Sequence, residues 1–146
     1  MRTTFSCVLY VLLVAACCAQ TTSPKVTKTD GLFQQAIHHL TYLIKTAKDN
    51  DMLLHSPEKD IKECCSQPAL ECFRKQLTYN THKNSVKVKL ARNLGKPSMM
   101  NSLNTCTAEE IQKAGCMSCE SYPKVSSKTF LENLQARLQK AYSRLS

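Results

Sequence analysis

Glycine is scarce in this chain, with three residues among 146. That excludes the glycine-rich phosphate loops, which need backbone freedom and close approach of the main chain to a ligand. No G-x-S-x-G elbow and no H-E-x-x-H helix occurs either, so the serine-hydrolase and zinc-protease signatures are missing. The eleven acidic residues are scattered and form no evident pair for acid–base work. Together these absences exclude the familiar catalytic constellations, and no enzymatic activity, resident metal or cofactor is expected.

Long apolar runs are missing beyond the first twenty residues. There, Arg2 precedes an apolar run from Val8 to Ala16 and then small residues. This is the layout of a secretory signal peptide, with cleavage expected between Ala19 and Gln20. The run is far shorter than the roughly 20 apolar residues needed to span a bilayer. The expected mature protein, residues 20–146, is a single secreted extracellular domain with no membrane insertion.

Cysteine, by contrast, is plentiful. Cys7, Cys17 and Cys18 leave with the signal, and six remain: Cys64, Cys65, Cys72, Cys106, Cys116 and Cys119. The sequence Cys116-Met-Ser-Cys119 admits three readings: a redox pair, half of a zinc site, or the ends of two disulfides. A redox motif needs a βαβ setting that nothing nearby provides, and the four histidines lie far from the cysteines in sequence. An even count in an oxidising compartment makes three disulfides the preferred reading.

Charge of one sign is also missing where it would balance the other. Between Arg74 and Lys96 stand seven basic residues (Arg74, Lys75, Lys83, Lys87, Lys89, Arg92, Lys96) and no acid. Loss of Arg2 takes the net charge from +9 to +8. Such a cluster attracts an acidic protein or a heparin-like glycan at long range, or it is simply a solvated helix face. Nucleic acid is not expected, because the chain is exported and only Phe73 and Tyr79 lie near the cluster.

Residues 20–29 are polar and read as a loose arm. From 31 to 49, with Asp30 as N-cap, Phe33, Ala36, Ile37, Leu40, Leu43, Ile44 and Ala47 repeat every three or four residues, the spacing of an amphipathic helix. His38 and His39, adjacent on that helix, cannot address one metal and read as surface groups. Met52, Leu53 and Leu54 are expected to tuck against the core, and a short turn is expected over 58–64. Pro68 suits the first turn of a second helix over 67–79, whose buried stripe is Ala69, Leu70, Phe73 and Leu77. The segment 82–94 alternates like a strand at Val86, Val88 and Leu90, yet Val86, Leu90 and Leu94 also repeat every four. The helical reading is preferred, because no second clear strand exists and Gly95 with Pro97 makes a helix stop. A long connection runs from 95 to 125. The last helix, 126–145, is capped by Ser126 or Ser127 and buries Phe130, Leu131, Leu134, Leu138, Ala141, Tyr142 and Leu145. Gln135, Arg137, Gln139 and Lys140 lie beside or opposite that stripe.

The Cys64-Cys65 pair lacks the His-Asp dyad that follows such a pair in secreted phospholipases: Ser66, Gln67 and Pro68 come next. It also lies some 45 residues into the mature chain, after a long helix, whereas in chemokines it lies near the N-terminus. A better match comes from two other segments. Cys116-x-x-Cys119-Glu-Ser-Tyr122, then Phe130-Leu131-Glu132 and Leu138-Gln139-Lys140, resembles the interleukin-2/15/21 group of cytokines, above all its interleukin-21 branch. Cys65, Cys72-Phe73 and Leu77 are similar to the second-helix cysteine pair of the same group. The likeness covers about half of the mature chain.

The resemblance implies an all-α, short-chain four-helix bundle with up-up-down-down topology, stapled by Cys65–Cys116 and Cys72–Cys119. Cys64 and Cys106 then remain for a third bridge. It further implies a secreted monomer that bridges a private receptor chain and the common gamma chain, activating kinase and transcription-factor signalling in lymphocytes. The gamma-chain contact maps onto Gln139 and Tyr142, although Tyr142 equally continues the core stripe. For the private chain the candidates are Gln35 and His38 on the first helix and Lys87, Lys89, Arg92 and Lys96 on or after the third. The competing expectation is a cationic helical lipid-binding or host-defence protein of saposin-like type. Such chains tie their termini together by disulfides, whereas here the first 44 and last 27 mature residues hold no cysteine.

Overall fold

The computed structural model describes residues 27–48, 52–79, 81–82 and 85–145; the signal peptide expected at 1–19 and most of the polar arm lie outside them. Six α-helices are described: α1 Lys28–Thr46, α2 Ser66–Thr78, α3 Val86–Leu94, α4 Pro97–Leu103, α5 Ala108–Ala114 and α6 Ser127–Leu145. Two-residue strands β1, Leu54–His55, and β2, Lys124–Val125, and 3-10 turns at Glu63–Cys65 and Cys119–Ser121 lie between them.

The first helix starts earlier than Asp30 suggests. Thr27 is the N-cap: its Oγ1 accepts the Asp30 amide at 3.2 Å, and the Asp30 carboxylate accepts the Thr27 amide at 2.9 Å. This reciprocal capping box satisfies two orphan donors at once, so Lys28 and Thr29 belong to the helix and not to the arm. The last helix is capped by Ser126, whose Oγ accepts the Thr129 amide at 3.2 Å. Ser127 is buried instead.

Between Val86 and Leu94 the chain is helical, not extended, with Ser85 Oγ accepting the Val88 amide at 3.3 Å. The helix stops at Gly95, where the Arg74 guanidinium fills the space a Cβ would need. Arg74 Nε donates to the Ala91 carbonyl at 3.1 Å, closing the end of α3 against α2. The segment beyond Gly95 is not one irregular connection. Pro97 opens α4, whose Met99, Met100 and Leu103 enter the core. A second capping box, Thr107 with Glu110, opens α5, and Gly115 closes it in the left-handed conformation, φ 62°, where a Cβ is disfavoured.

The core is drawn from α1, α2, α3, α4 and α6, with Leu54 of β1 at its margin. Phe33, Phe73 and Phe130 are among its largest fully buried side chains, and the rings of Phe73 and Phe130 lie 5.2 Å apart. Leu40, Leu70, Leu77, Leu90, Leu94, Leu131, Leu134 and Leu138 fill the space between helices. Of the three apolar residues expected to tuck in after α1, only Leu54 does, at 8% exposure. Met52 and Leu53 stay at 47% and 62%. Leu54 is selected because β1 pairs antiparallel with β2, Leu54 facing Val125 and His55 facing Lys124, and adjacent strand residues point to opposite sides.

Polar bonds tie the helices at defined heights. Gln34 Nε2 donates to the Tyr142 hydroxyl at 3.0 Å and Gln135 Nε2 to Thr41 Oγ1 at 2.9 Å, both between α1 and α6. Asn93 Nδ2 of α3 donates to Gln35 Oε1 of α1 at 3.1 Å. Asn133 Nδ2 donates to Ser56 Oγ at 3.0 Å, holding the loop after β1 on α6.

Phe130→Ala is expected to cost about 3–5 kcal/mol of unfolding free energy, whereas Leu53→Ser should change it by no more than about 0.5 kcal/mol. Urea unfolding followed by circular dichroism measures both, and equal losses would contradict this placement of the core.

Candidate functional site

The most tightly constrained region is the start of α2. Three disulfides leave it: Cys64–Cys106, Cys65–Cys116 and Cys72–Cys119, with Cα separations of 5.3, 5.4 and 5.1 Å. Cys116 and Cys119 therefore run to different points of α2 and its preceding turn, and do not pair with each other. Cys65 and Cys72 are buried. They are seven residues apart, two helical turns, so both sulfurs leave one flank of the helix. Glu110 lies close to Cys64 and Cys106, but those sulfurs are bonded to each other and neither is the thiolate a metal requires.

Beside this knot lies a charged cluster that the sequence pattern did not single out. Arg137, expected beside or opposite the apolar stripe of α6, is buried, at 5% exposure. Its Nη2 donates to Ser66 Oγ at 2.7 Å. Nη1 finds no hydrogen-bond partner among the described residues. Burial pulls the Arg137 pKa down, while the Glu63 carboxylate pulls the other way. The signal was available in the spacing, since Arg137 follows Leu134 by three and precedes Ala141 by four. Charge alone argued it outward. Glu63 accepts both terminal nitrogens of Arg144, and Lys140 Nζ stands 3.9 Å away. The bond from Arg144 holds the Glu63 carboxyl below its ordinary range, and the same bond raises Arg144.

On α6, Gln139 is exposed. Tyr142 is half-buried, its ring 5.8 Å from Phe33 and its hydroxyl held by Gln34. It thus sits at the core margin with one edge outward, three residues from Gln139 on the same side of the helix. Leu145, expected in the buried stripe, is exposed.

The candidates on α1 and α3 divide. Gln35 is exposed and bonded to Asn93, and His38 is exposed. Lys89, Arg92 and Lys96 are exposed as well. Lys87 is half-buried and lines a cavity with Leu77 and Phe130 on another side of α3, so it does not join the other three. His39, expected at the surface, is half-buried. Burial lowers its pKa, helped by the neighbouring His38 and by Lys89 across the helix pair. Its Nδ1 has no partner among the described residues. Gln35, His38, Lys89 and Arg92 therefore lie at the seam of α1 and α3, whereas Lys96 stands beyond the end of α3 as the N-cap residue of α4. No helix among the described residues is long and apolar enough to cross a membrane.

Comparison with protein-family models, with curated proteins and with solved structures finds no match to this chain.

Removing the Cys72–Cys119 bond with paired serines frees a loop of 47 residues and is expected to cost about 4 kcal/mol in the chain-entropy picture, read as a lowered denaturation midpoint. Glu63→Gln removes a carboxyl whose folded pKa lies below the unfolded value of 4.5. A depressed carboxyl stabilises above its unfolded pKa and stops doing so as pH falls through the folded one. The variant should therefore be less stable at pH 7, by no more than about 1 kcal/mol for so exposed a pair. The difference should shrink below pH 4.5; a constant gap would show that the pair is not its source.

Proposed function

We propose that this protein is a secreted cytokine of the interleukin-2/15/21 group, most like the interleukin-21 branch, without catalytic activity. In this reading it bridges a private receptor chain and the common gamma chain and so triggers kinase signalling in lymphocytes. The observation that carries the reading is the way two cysteines of one C-x-x-C pair reach two points two turns apart at the second long helix. That arrangement is the one implied by the sequence likeness.

Helix direction supports the same reading. Along α1 and α6 the paired residues are 34 with 142 and 41 with 135, rising on one as they fall on the other. Between α2 and α6, Ser66 meets Arg137 and Phe73 meets Phe130, again in opposite senses. Gln35 meets Asn93 between α1 and α3, and His39 feels Lys89. A bundle in which α1 and α2 point one way and α3 and α6 the other accommodates all these pairs, as an up-up-down-down cytokine would. The shorter α4 and α5 then lie in the second crossover. Oxidised cysteines fit an extracellular setting.

Two surfaces result. Gln139 and the outer edge of Tyr142 form the gamma-chain contact, an amide beside an aromatic anchor. Lys89, Arg92, Gln35 and His38 form the private-chain contact, where positive charge speeds encounter with an acidic partner.

Gln139→Lys should reduce signalling in responsive lymphocytes by about tenfold or more while private-chain binding by surface plasmon resonance stays unchanged. Lys89→Glu with Arg92→Glu should do the reverse, slowing private-chain association. A Gln139→Lys protein that signals normally would remove α6 from the receptor contact.

A further inference from the structure

We infer that the cavity between α6, the start of α2 and the end of α4 is a binding site for a sulfate group, presented by a sulfated glycan. The cavity measures about 190 Å³ and is lined by Ser66, Ser102, Thr105, Arg137, Lys140 and Arg144. Three cations come from one helix at positions 137, 140 and 144, spaced by three and four residues, so they form a single stripe along α6.

Two features set this stripe apart from a solvated helix face. Arg137 is buried, and among the described residues its Nη1 has no hydrogen-bond partner, an arrangement that costs free energy unless a partner is supplied. Hydroxyls stand among the cations. Ser66 Oγ accepts from Arg137 and keeps its own proton to donate, whereas Ser102 spends its proton on the Ser98 carbonyl at 2.6 Å. Among the described residues Thr105 Oγ1 meets the Cys106 sulfur alone, at 3.8 Å. A tetrahedral oxyanion with several acceptor oxygens matches guanidinium forks, an ammonium and two hydroxyl donors better than a planar carboxylate does.

Glu63 is the competitor. Of the two carboxylates acting on Arg137, Glu63 and Asp60, it is the stronger, and it already holds Arg144 with Lys140 nearby. It serves as an internal stand-in for the ligand's negative charge, and sulfate binding requires Arg144 and Lys140 to be shared or released. Both side chains are partly exposed, so their release from Glu63 displaces no core packing. At about 100° per residue, the stripe lies roughly opposite Gln139 and Tyr142. Glycan occupancy therefore leaves the proposed gamma-chain edge uncovered. The choice of a glycan as the sulfate's source rests on the extracellular placement proposed above; the site itself does not.

The test uses the purified mature protein and two probes, inorganic sulfate and a heparin-derived tetrasaccharide, followed by nuclear magnetic resonance at constant ionic strength. Both should give saturable shifts at Ser66, Thr105, Arg137 and Arg144. Lys140→Ala with Arg144→Ala, both partly exposed, should weaken tetrasaccharide binding by about tenfold or more, and Glu63→Gln should tighten it. Binding lost instead in Lys89→Ala with Arg92→Ala, and kept in the α6 double variant, would overturn the assignment. So would shifts that never saturate, or sulfate binding without tetrasaccharide binding. No receptor enters the assay, so its failure and that of the cytokine reading are separable.

Discussion

Three covalent bonds converge on the nine residues from Cys64 to Cys72 and fix how the second half of the chain meets the first. Cys119 is followed by buried Tyr122, whose carbonyl meets His55 Nδ1 at 2.8 Å, and by Pro123, whose carbonyl accepts the Ser56 amide at 3.0 Å. The next residues pair as β2 with β1, and α6 begins two residues later. The apolar stripe of α6 sets which of its faces turns inward, and the disulfides fix where the helix enters the core. Hydrophobic burial cannot do that by itself, because it is non-directional. A bundle with a core of this size has little margin against chain entropy, so the same bonds that place α6 also keep it docked.

The polar contacts refine what the sulfur bonds begin. Each joins elements distant in sequence at a single height: Gln34 with Tyr142, Gln135 with Thr41, Asn93 with Gln35, Asn133 with Ser56. Shifting either helix by a turn would leave these groups unpaired, at a cost comparable to a lost hydrogen bond each. Apolar stripes built largely of leucine tolerate such sliding far better. The bundle is therefore cross-linked covalently at one end and held in register by amide and hydroxyl pairs along its length.

The long helices were legible because four or five turns give a stripe time to declare itself, and α1, α2 and α6 begin within three residues of the expected positions. Thr27 was missed as a cap because Asp30 also fits that role; only the reciprocal bond separates them. The helices α4 and α5 were hidden by their length. Seven residues make two turns, too few to display a period, and the cysteines and prolines around them read as loop. The ladder between β1 and β2 is shorter still, so nothing local could tell Leu54 from Leu53. Spacing alone left the cysteine connectivities open, and only the family likeness narrowed them. Arg137 was misplaced for a different reason: hydropathy assigns a guanidinium to the surface, whereas a hydroxyl and a nearby carboxylate make its burial bearable.

Tyr142 shows why core and contact need not be alternatives. Its ring closes the margin of the core against Phe33, and its hydroxyl is tied to Gln34 on the neighbouring helix. A side chain so restrained has already lost rotamer freedom on folding, so a partner that docks on its outer edge has less ordering left to impose. Gln139, one turn earlier and exposed, has no such restraint and would supply adaptable hydrogen bonds. A receptor contact built on α6 would then consist of a rigid aromatic set by α1 and a mobile amide beside it. Packing between the first and last helices would govern the affinity of that face, and changes at Phe33 or Gln34 would be felt there through Tyr142.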